Sequence, residues 1–147
     1  MRSYFLANLN YGGVGAVLAS PDGNVLNGQG GSYRYHWSRD GALSMRTMLQ
    51  TFVPGVTNAS LVPSYMLQYT KFILKIHSQQ DPFNQPILTE PKFFLNGSVY
   101  SGGWCRPQND GPSLRAITLM MYAQQLIQNG QIGLVKQYLW TGEERSL

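Results

Sequence analysis

The chain has few charged residues and almost no thiol chemistry. Charged residues make up 12% of its 147 residues, which is about half of the roughly 25% found in typical soluble domains. Cys105 is the only cysteine, so no disulfide can form within the chain and no thiolate cluster can hold a metal. We expect Cys105 to be a small buried hydrophobic residue.

Histidines and long apolar runs are equally scarce. The two histidines, His36 and His77, lie far apart and have no Cys or second His at metal-ligand spacing. The sequence therefore predicts neither a metal site nor a cofactor. No window approaches the about 18 consecutive apolar residues of a membrane span. Residues 1–6 carry one charge and a short apolar stretch, which do not make a convincing signal peptide.

Basic residues outnumber acidic ones without forming a patch. The net charge of +4 rests on 11 Lys and Arg residues that are scattered along the chain. Proteins that bind nucleic acids usually concentrate such charges on one face or segment, so we expect no nucleic-acid partner. Tyr, Asn and Gln fill much of the polar surface instead, a balance that suits a protein that handles sugars.

The first half of the chain predicts a loop followed by two helices. Residues 3–32 are rich in Gly and Asn, and we interpret them as a loop with a weak hairpin and a turn at residues 21–24. One helix follows Asp40, and a second is capped by Ser60 and has Pro63 in its first turn. The residues predicted to face inward are Ala42, Met45, Met48, Leu49 and Phe52, then Tyr65, Met66, Tyr69, Phe72, Ile73 and Ile76.

The second half predicts a small β excursion and two more helices. Residues 93–95 and 98–100 flank Asn96-Gly97, a dipeptide typical of a hairpin turn. Pro112 opens a third helix that stops at residues 129–130, and a fourth begins near Ile132. The residues of the third helix predicted to face inward are Leu114, Ile117, Met120, Met121, Leu126 and Ile127.

Two segments combine aromatic rings with neighbouring charges. Residues 33–41 read YRYHWSRDG, and residues 104–112 read WCRPQNDGP. An aromatic ring can stack on the apolar C–H face of a sugar, while guanidinium and carboxylate groups bind the sugar hydroxyls through charge-assisted hydrogen bonds. Together the two segments predict a carbohydrate-binding site.

These segments, in this order and with EPKF at residues 90–93 and LRA at residues 114–116, resemble the fungal glucoamylases of glycoside hydrolase family 15. These enzymes release glucose from the non-reducing ends of α-1,4-glucans such as starch and glycogen, with inversion. The resemblance covers about residues 8–140, whereas residues 141–147 depart from the family. A truncated gene model would produce such an ending. It implies an all-α fold, part of an (α/α)6 toroid of helical hairpins with a small β-hairpin. We therefore expect residues 1–147 to be an incomplete catalytic domain.

The resemblance also assigns the site residues. Arg39 and Asp40 would hold the hydroxyls of a terminal glucose, and Lys92 would reach a hydroxyl at an outer subsite. Arg106 would contact substrate or support the residues that do. The substrate-binding residues implied are Tyr33, Trp37, Arg39, Asp40, Lys92, Trp104 and Arg106.

Purely structural roles, without substrate contact, remain open for several of these residues. Asp40 alone would be a favourable charge at a helix N-terminus with Arg39 as its ion-pair partner. Trp104 would also suit a core position with its indole N–H satisfied. Asp110 and Arg115 are interpreted mainly as scaffolding, and Glu90 as a structural acceptor.

The carboxylates that would carry catalysis are expected elsewhere. An inverting glycosidase needs a general acid and a general base about 6.5–9.5 Å apart. In the family the acid lies well downstream of the second segment, in a Trp-Glu-Glu context, and the base lies further still. Glu143 and Glu144 follow Trp140 too early and at the wrong spacing. The resemblance thus implies that this chain alone is inactive.

An alternative function is that of a carbohydrate-binding protein derived from a glucoamylase, which retains the sugar pocket but does not catalyse hydrolysis. The partner in both readings is an α-glucan oligosaccharide or starch. The resemblance implies a secreted or vacuolar protein that is monomeric when intact. Sequons at Asn58 and Asn96 fit passage through the secretory pathway.

Overall fold

The computed structural model describes residues 2–21, 33–51 and 60–140, which form five α-helices and a two-stranded sheet. The antiparallel strands place His36 opposite Phe93 and Trp37 opposite Lys92. This mostly helical architecture confirms the predicted all-α class. The elements are α1 (Arg2–Asn8), β1 (His36–Trp37), α2 (Ser38–Thr51), α3 (Leu61–His77), a 3₁₀ turn (Ile87–Thr89), β2 (Lys92–Phe93), α4 (Asp110–Gln128) and α5 (Ile132–Tyr138).

The core lies between α2, α3 and α4. Apolar residues at helical spacing give α2 and α3 one continuous buried face each, and the predicted inward residues of both helices are confirmed wherever they are described, Tyr65 being half-buried. Phe52 lies outside the described residues. The largest buried core side chains are Met45, Met48, Met66, Tyr69, Phe72, Ile73, Ile76 and Phe93.

The start of α2 is fixed by the chain segment that precedes β2. The Ser38 backbone N–H donates to the carbonyl of Pro91 at 2.8 Å, and the Ser38 hydroxyl donates to the carbonyl of Glu90 at 2.9 Å. Helix α4 approaches the same point through Gly111, where an added Cβ would lie 2.9 Å from the Ser38 Cβ. The first turn of α2 is therefore held from two sides.

The capping predicted for α3 is wrong. Ser60 has helical backbone angles, φ −61° and ψ −19°, and its side chain makes no capping hydrogen bond. A capping side chain reaches the free N–H groups from an extended backbone, which Ser60 does not adopt. Pro63 does lie in the first turn of α3, as predicted.

The inward face predicted for α4 is confirmed for Leu126, which is buried, and for Met121, which packs half-buried against the core, but it is wrong for three of the six residues. Met120 is 63% exposed and Ile127 is 53% exposed, while Ile117 also lies at the surface. The buried face instead contains Gly111, Arg115, Thr118, Tyr122 and Leu126. Gly111 and Thr118 lie on this face because α4 packs closely on α2. At this contact the Thr118 hydroxyl donates to the carbonyl of Ala42 at 3.0 Å. The apolar positions are split between two sides of the helix.

The N-terminal region is also more ordered than a loop. Residues Arg2–Asn8 form α1, with Phe5 and Leu6 packed against the core and Leu9 buried just after the helix. The Gly- and Asn-rich composition had concealed this short helix. The weak hairpin is present as a single bridge between Tyr11 and Ala16. Most of the turn predicted at residues 21–24 lies outside the described residues.

The hairpin predicted at residues 93–100 is reduced to a turn with one bridge, between Phe93 and Val99. Gly97 has a φ of 89°, a value that glycine adopts without steric cost. The main pairing of β2 is with β1, which places Lys92 opposite Trp37 of the first aromatic segment.

The prediction for Cys105 is wrong, since its thiol is exposed. It lies between β2 and α4 in a surface loop around Trp104 and Arg106, where few side chains surround it. Among the described residues, no helix has both the length and the apolarity to cross a bilayer.

Candidate functional site

The two aromatic segments meet at the β1–β2 sheet. The Trp37 and Trp104 rings pack edge to face with centroids 5.3 Å apart, and the centroid of Tyr33 lies 5.8 Å from that of Trp37. Trp37 is buried, whereas Tyr33 is 56% and Trp104 is 42% exposed. The structure thus joins the three predicted aromatic residues through ring contacts from Tyr33 to Trp37 to Trp104, which we call the aromatic row. Tyr33 and Trp104 remain accessible to solvent.

Lys92 lies inside a cage of aromatic rings. Its ammonium is 3.8 Å from the centroid of Tyr100, 4.3 Å from Trp104, 4.6 Å from Tyr35 and 5.3 Å from Trp37. The negative faces of such rings attract a cation. Burial lowers the pKa of Lys92, with a further lowering from Arg106, while Glu90 opposes both. The residue is 2% exposed, so Lys92 holds the rings together as well as lining the site.

Tyr35 and Tyr100 were missed as site residues. Their rings pack edge to face at 5.2 Å, and Phe94 contacts both. A signal for Tyr35 exists in the sequence, because it is one of the aromatic residues of the segment 33–41. Tyr100 carries no comparable signal, since only the fold of its loop brings it to Lys92.

Glu90 and Arg106 form a buried ion pair beneath this cage. The Arg106 Nε donates to Glu90 Oε2 at 2.5 Å, with the two side chains 8% and 0% exposed. The same guanidinium donates to the carbonyls of Tyr100 at 2.7 Å and Gly102 at 3.0 Å. The other Glu90 oxygen accepts from the backbone N–H of Lys92 at 3.2 Å. Burial raises the pKa of Glu90, and Arg106 opposes that rise.

Arg39 and Asp110 form a second ion pair, at the surface. The Arg39 Nη1 donates to Asp110 Oδ2 at 2.5 Å, with the side chains 48% and 44% exposed. The pair raises the pKa of Arg39 and lowers the pKa of Asp110. Arg39 follows Trp37 by two residues, and the Tyr33 phenol contributes a smaller part of the rise in the Arg39 pKa.

Asp40 lies in the first turn of α2, next to this pair, and is half-buried. The structure does not pair it with Arg39, which binds Asp110 instead. Among the described residues, no side chain forms an ion pair with Asp40. Its carboxylate can therefore accept hydrogen bonds from a ligand.

The other described carboxylates have structural partners. Asp81 is buried and its Oδ1 accepts the backbone N–H groups of Phe83 and Gln85 at 2.7 and 3.3 Å, which is the bonding of a turn residue. Asp22, Glu143 and Glu144 lie outside the described residues. Within residues 2–21, 33–51 and 60–140, no group of three His, Cys, Asp or Glu side chains is placed to hold a metal ion.

Comparison with known proteins identifies a family and individual proteins to which the sequence of this chain is similar. The family model described as "Glycosyl hydrolases family 15" matches residues 4–142. Glucoamylase-1 of Schizophyllum commune is 33% identical over 86% of this chain, and glucoamylase P of Amorphotheca resinae is 35% identical over 87%. The chain spans only 21% and 20% of the length of these two relatives.

A solved structure has the same fold. The family 15 glucoamylase from Hypocrea jecorina superposes on 92% of this chain with a TM-score of 0.79 and 31% sequence identity. The chain covers 23% of that protein. The helices and the small sheet described above therefore correspond to part of a glucoamylase (α/α)6 barrel.

Proposed function

Because the chain belongs to glycosyl hydrolases family 15, we propose that its described residues hold the terminal glucose of an α-1,4-glucan in glucoamylase-type hydrolysis. The reaction proposed is release of glucose from the non-reducing end with inversion. The observation that carries this proposal is the contact of Tyr33 and Trp104 with Trp37, which is followed directly by Arg39 and Asp40 in the first turn of α2.

Each group in this arrangement has a distinct part in binding. The exposed faces of Tyr33 and Trp104 are available to stack on the C–H faces of sugar rings. Asp40 accepts hydrogen bonds from two hydroxyls, and Arg39 donates to a neighbouring oxygen. Asp110 fixes the Arg39 guanidinium before a sugar arrives, so less side-chain entropy is lost on binding.

Lys92 and Arg106 act at different depths. The Lys92 ammonium lies among the rings and is closed off from solvent, so we assign it to holding Trp104 and Tyr100 in position rather than to a direct hydroxyl contact. Arg106 already donates to Glu90, Tyr100 and Gly102. We assign Arg106 to positioning the loop that carries Trp104, rather than to direct contact.

The proton transfers are assigned to groups that the described residues do not supply. Glu90 and Asp110 are paired with arginines, and Asp81 belongs to a turn. Asp40 remains, but an inverting mechanism needs two carboxyls. A second candidate function, sugar binding without hydrolysis, is favoured by this same engagement of the carboxylates. In both cases we propose a secreted or vacuolar monomer.

Ligand titration of the folded chain tests the proposal. We expect maltotriose, but not the β-linked cellotriose, to quench tryptophan fluorescence and to bind in calorimetry. Asp40→Asn should weaken maltotriose binding about 10- to 100-fold, because hydrogen bonds to a charged group contribute about 1.5–3 kcal/mol. Glucose release, with the anomer read by NMR, separates a hydrolase from a binding protein.

Two tryptophans offer a matched comparison for the same titration. Trp104→Ala removes a ring of the proposed site, while Trp140→Ala removes a ring that is 72% exposed and outside the aromatic row. We expect only the first to abolish maltotriose binding. Equal binding by both variants, or equal affinity of the chain for maltotriose and cellotriose, would contradict the proposal.

A further inference from the structure

The turn that follows β2 presents Asn96 at the surface. Residues 96–98 read Asn-Gly-Ser, the acceptor pattern for N-linked glycans, and both Asn96 and Ser98 are exposed. The Asn96 Oδ1 accepts the backbone N–H of Ser98 at 2.9 Å and the Ser98 hydroxyl at 2.7 Å. Within the described part of the chain, the Asn96 Nδ2 donates no hydrogen bond. The nitrogen that carries the sugar in such sites is therefore available.

Helix α3 holds the backbone of this turn from the opposite side. The Lys75 ammonium donates to the carbonyl of Asn96 at 2.7 Å, and the Gln79 Nε2 donates to the carbonyl of Gly97 at 2.7 Å. Gly97 is buried against α3, where an added Cβ would lie 3.3 Å from the Phe72 ring. Because α3 binds the backbone and the Asn96 carboxamide is exposed, a glycan on Nδ2 can extend into solvent without displacing core side chains.

Phe94 lies directly across the turn from this carboxamide. The Phe94 N–H donates to the carbonyl of Ser98 at 2.9 Å, and the Gly97 N–H donates to the carbonyl of Phe94 at 2.8 Å. Phe94 is thus paired with the same residue, Ser98, whose N–H binds Asn96. Its ring is 38% exposed and contacts Tyr35 and Tyr100 at centroid distances of 5.6 and 5.7 Å. A ring held in place, with part of its surface open to water, therefore adjoins the acceptor.

We propose that Asn96 is an N-glycosylation site whose first N-acetylglucosamine stacks on the exposed part of Phe94. In the transfer, the Asn96 Nδ2 loses one proton and forms a bond to the anomeric carbon of the sugar. The bond between that carbon and the oxygen of a lipid diphosphate breaks, and the diphosphate leaves with the electron pair. The donor is the lipid-linked oligosaccharide of the secretory pathway. The apolar C–H face of the bound sugar then covers aromatic surface that is otherwise in contact with water.

This inference rests on the proposed passage through the secretory pathway, but not on sugar binding by the aromatic row. Secretion of the full chain from a eukaryotic host, behind a heterologous signal peptide, supplies the transferase whatever the native destination is. Asn58→Gln removes the other sequon, which lies outside the described residues. In this background we expect mass spectrometry to find a glycan on Asn96 in most secreted chains and none after Asn96→Gln. Maltotriose titration of the same protein reports on the proposed function separately.

Thermal unfolding measures the stacking on Phe94. An endoglycosidase trims the secreted protein to a single N-acetylglucosamine, and the reference is the same chain made in bacteria, which keeps Asn96 unmodified. We expect the single sugar to raise the Tm by about 2–5 °C. Phe94→Leu should lose most of this rise. Phe83→Leu changes a ring that is 45% exposed in a different turn and should retain it. Taking the sugar-dependent rise within each variant cancels the cost of the substitution itself.

NMR spectroscopy detects the same contact without any substitution. In the trimmed protein, C–H protons of the sugar should shift upfield through the ring current of Phe94 and show nuclear Overhauser effects to its ring protons. An unmodified Asn96 in folded, secreted protein would overturn the glycosylation site. Equal sugar-dependent rises in the Phe94→Leu and Phe83→Leu proteins, or the absence of Overhauser effects between the sugar and Phe94, would overturn the stacking.

Discussion

At the scale of single residues, Glu90 connects the three segments that carry the proposed sugar contacts. Its carbonyl accepts from Ser38 at the start of α2, one carboxylate oxygen accepts from the backbone of Lys92, and the other binds Arg106. Arg106 in turn holds the carbonyls of Tyr100 and Gly102, next to Trp104. A short, fully buried carboxylate thus sets the spacing between Arg39 and the aromatic rings.

Neutralising this carboxylate should cost much more than neutralising its surface counterpart. Glu90→Gln leaves the Arg106 charge buried without an anion, and we expect a loss of about 3 kcal/mol in the free energy of unfolding. Asp110→Asn breaks an ion pair of the same chemistry that is about half exposed, and should cost about 0–1 kcal/mol. Urea denaturation of both variants measures the difference. Similar losses would mean that Glu90 is not the residue that braces the site.

At the scale of secondary structure, α4 is the helix whose buried face is not predicted by the spacing of its apolar residues. Helices α2 and α3 were predictable because each has one apolar face, whereas the apolar residues of α4 cover two sides. Its buried face was unpredictable because Gly111, Arg115 and Thr118 are small or polar, and they are inward only because α2 supplies their partners. Helix α1 was missed for a related reason, since seven residues hold too few apolar positions to show a period.

Two neighbouring positions on α4 test which face is buried. Leu126 is 4% exposed and Ile127 is 53% exposed, although the sequence pattern predicts both to be inward. Leu126→Ala should destabilise the protein by about 2–5 kcal/mol through lost burial and a cavity. Ile127→Ala should change stability by about 0.5 kcal/mol or less. Denaturant unfolding midpoints decide, and a larger loss from Ile127→Ala would restore the original prediction.

At the scale of the whole molecule, residues for the proposed pocket could be put forward from the sequence, but their mutual arrangement could not be predicted. Resemblance to known enzymes identified Arg39, Asp40 and Lys92. The cage of four rings around Lys92 and the pairing of Arg39 with Asp110 arise from β1 meeting β2 and from α4 packing on α2. The pairing of Arg39 with Asp110 joins residues 71 positions apart, and the contact of Ala42 with Thr118 joins residues 76 positions apart, so no local pattern specifies them.

The buried His36 and the half-buried His77 should make the whole fold sensitive to acid. His36 and His77 have pKa values of about 3 against an ordinary value of 6.5, so between these limits the unfolded chain binds more protons than the folded one. Stability therefore falls as pH is lowered through this range, by up to about 1.4 kcal/mol per pH unit for each histidine. Glu90 acts in the opposite direction, because its raised pKa favours the folded state once it is protonated.

Urea denaturation at a series of pH values from pH 7 to pH 4 measures how the free energy of unfolding depends on pH. The chain contains only two histidines, so His77→Gln leaves His36 as the sole source and should reduce the slope to about half. The Asp110 carboxyl, whose pKa is lowered by Arg39, should add a loss of stability only at the acid end of the range. A slope that is unchanged in His77→Gln, or stability that is constant from pH 7 to pH 5, would show that these imidazoles are not held neutral by burial.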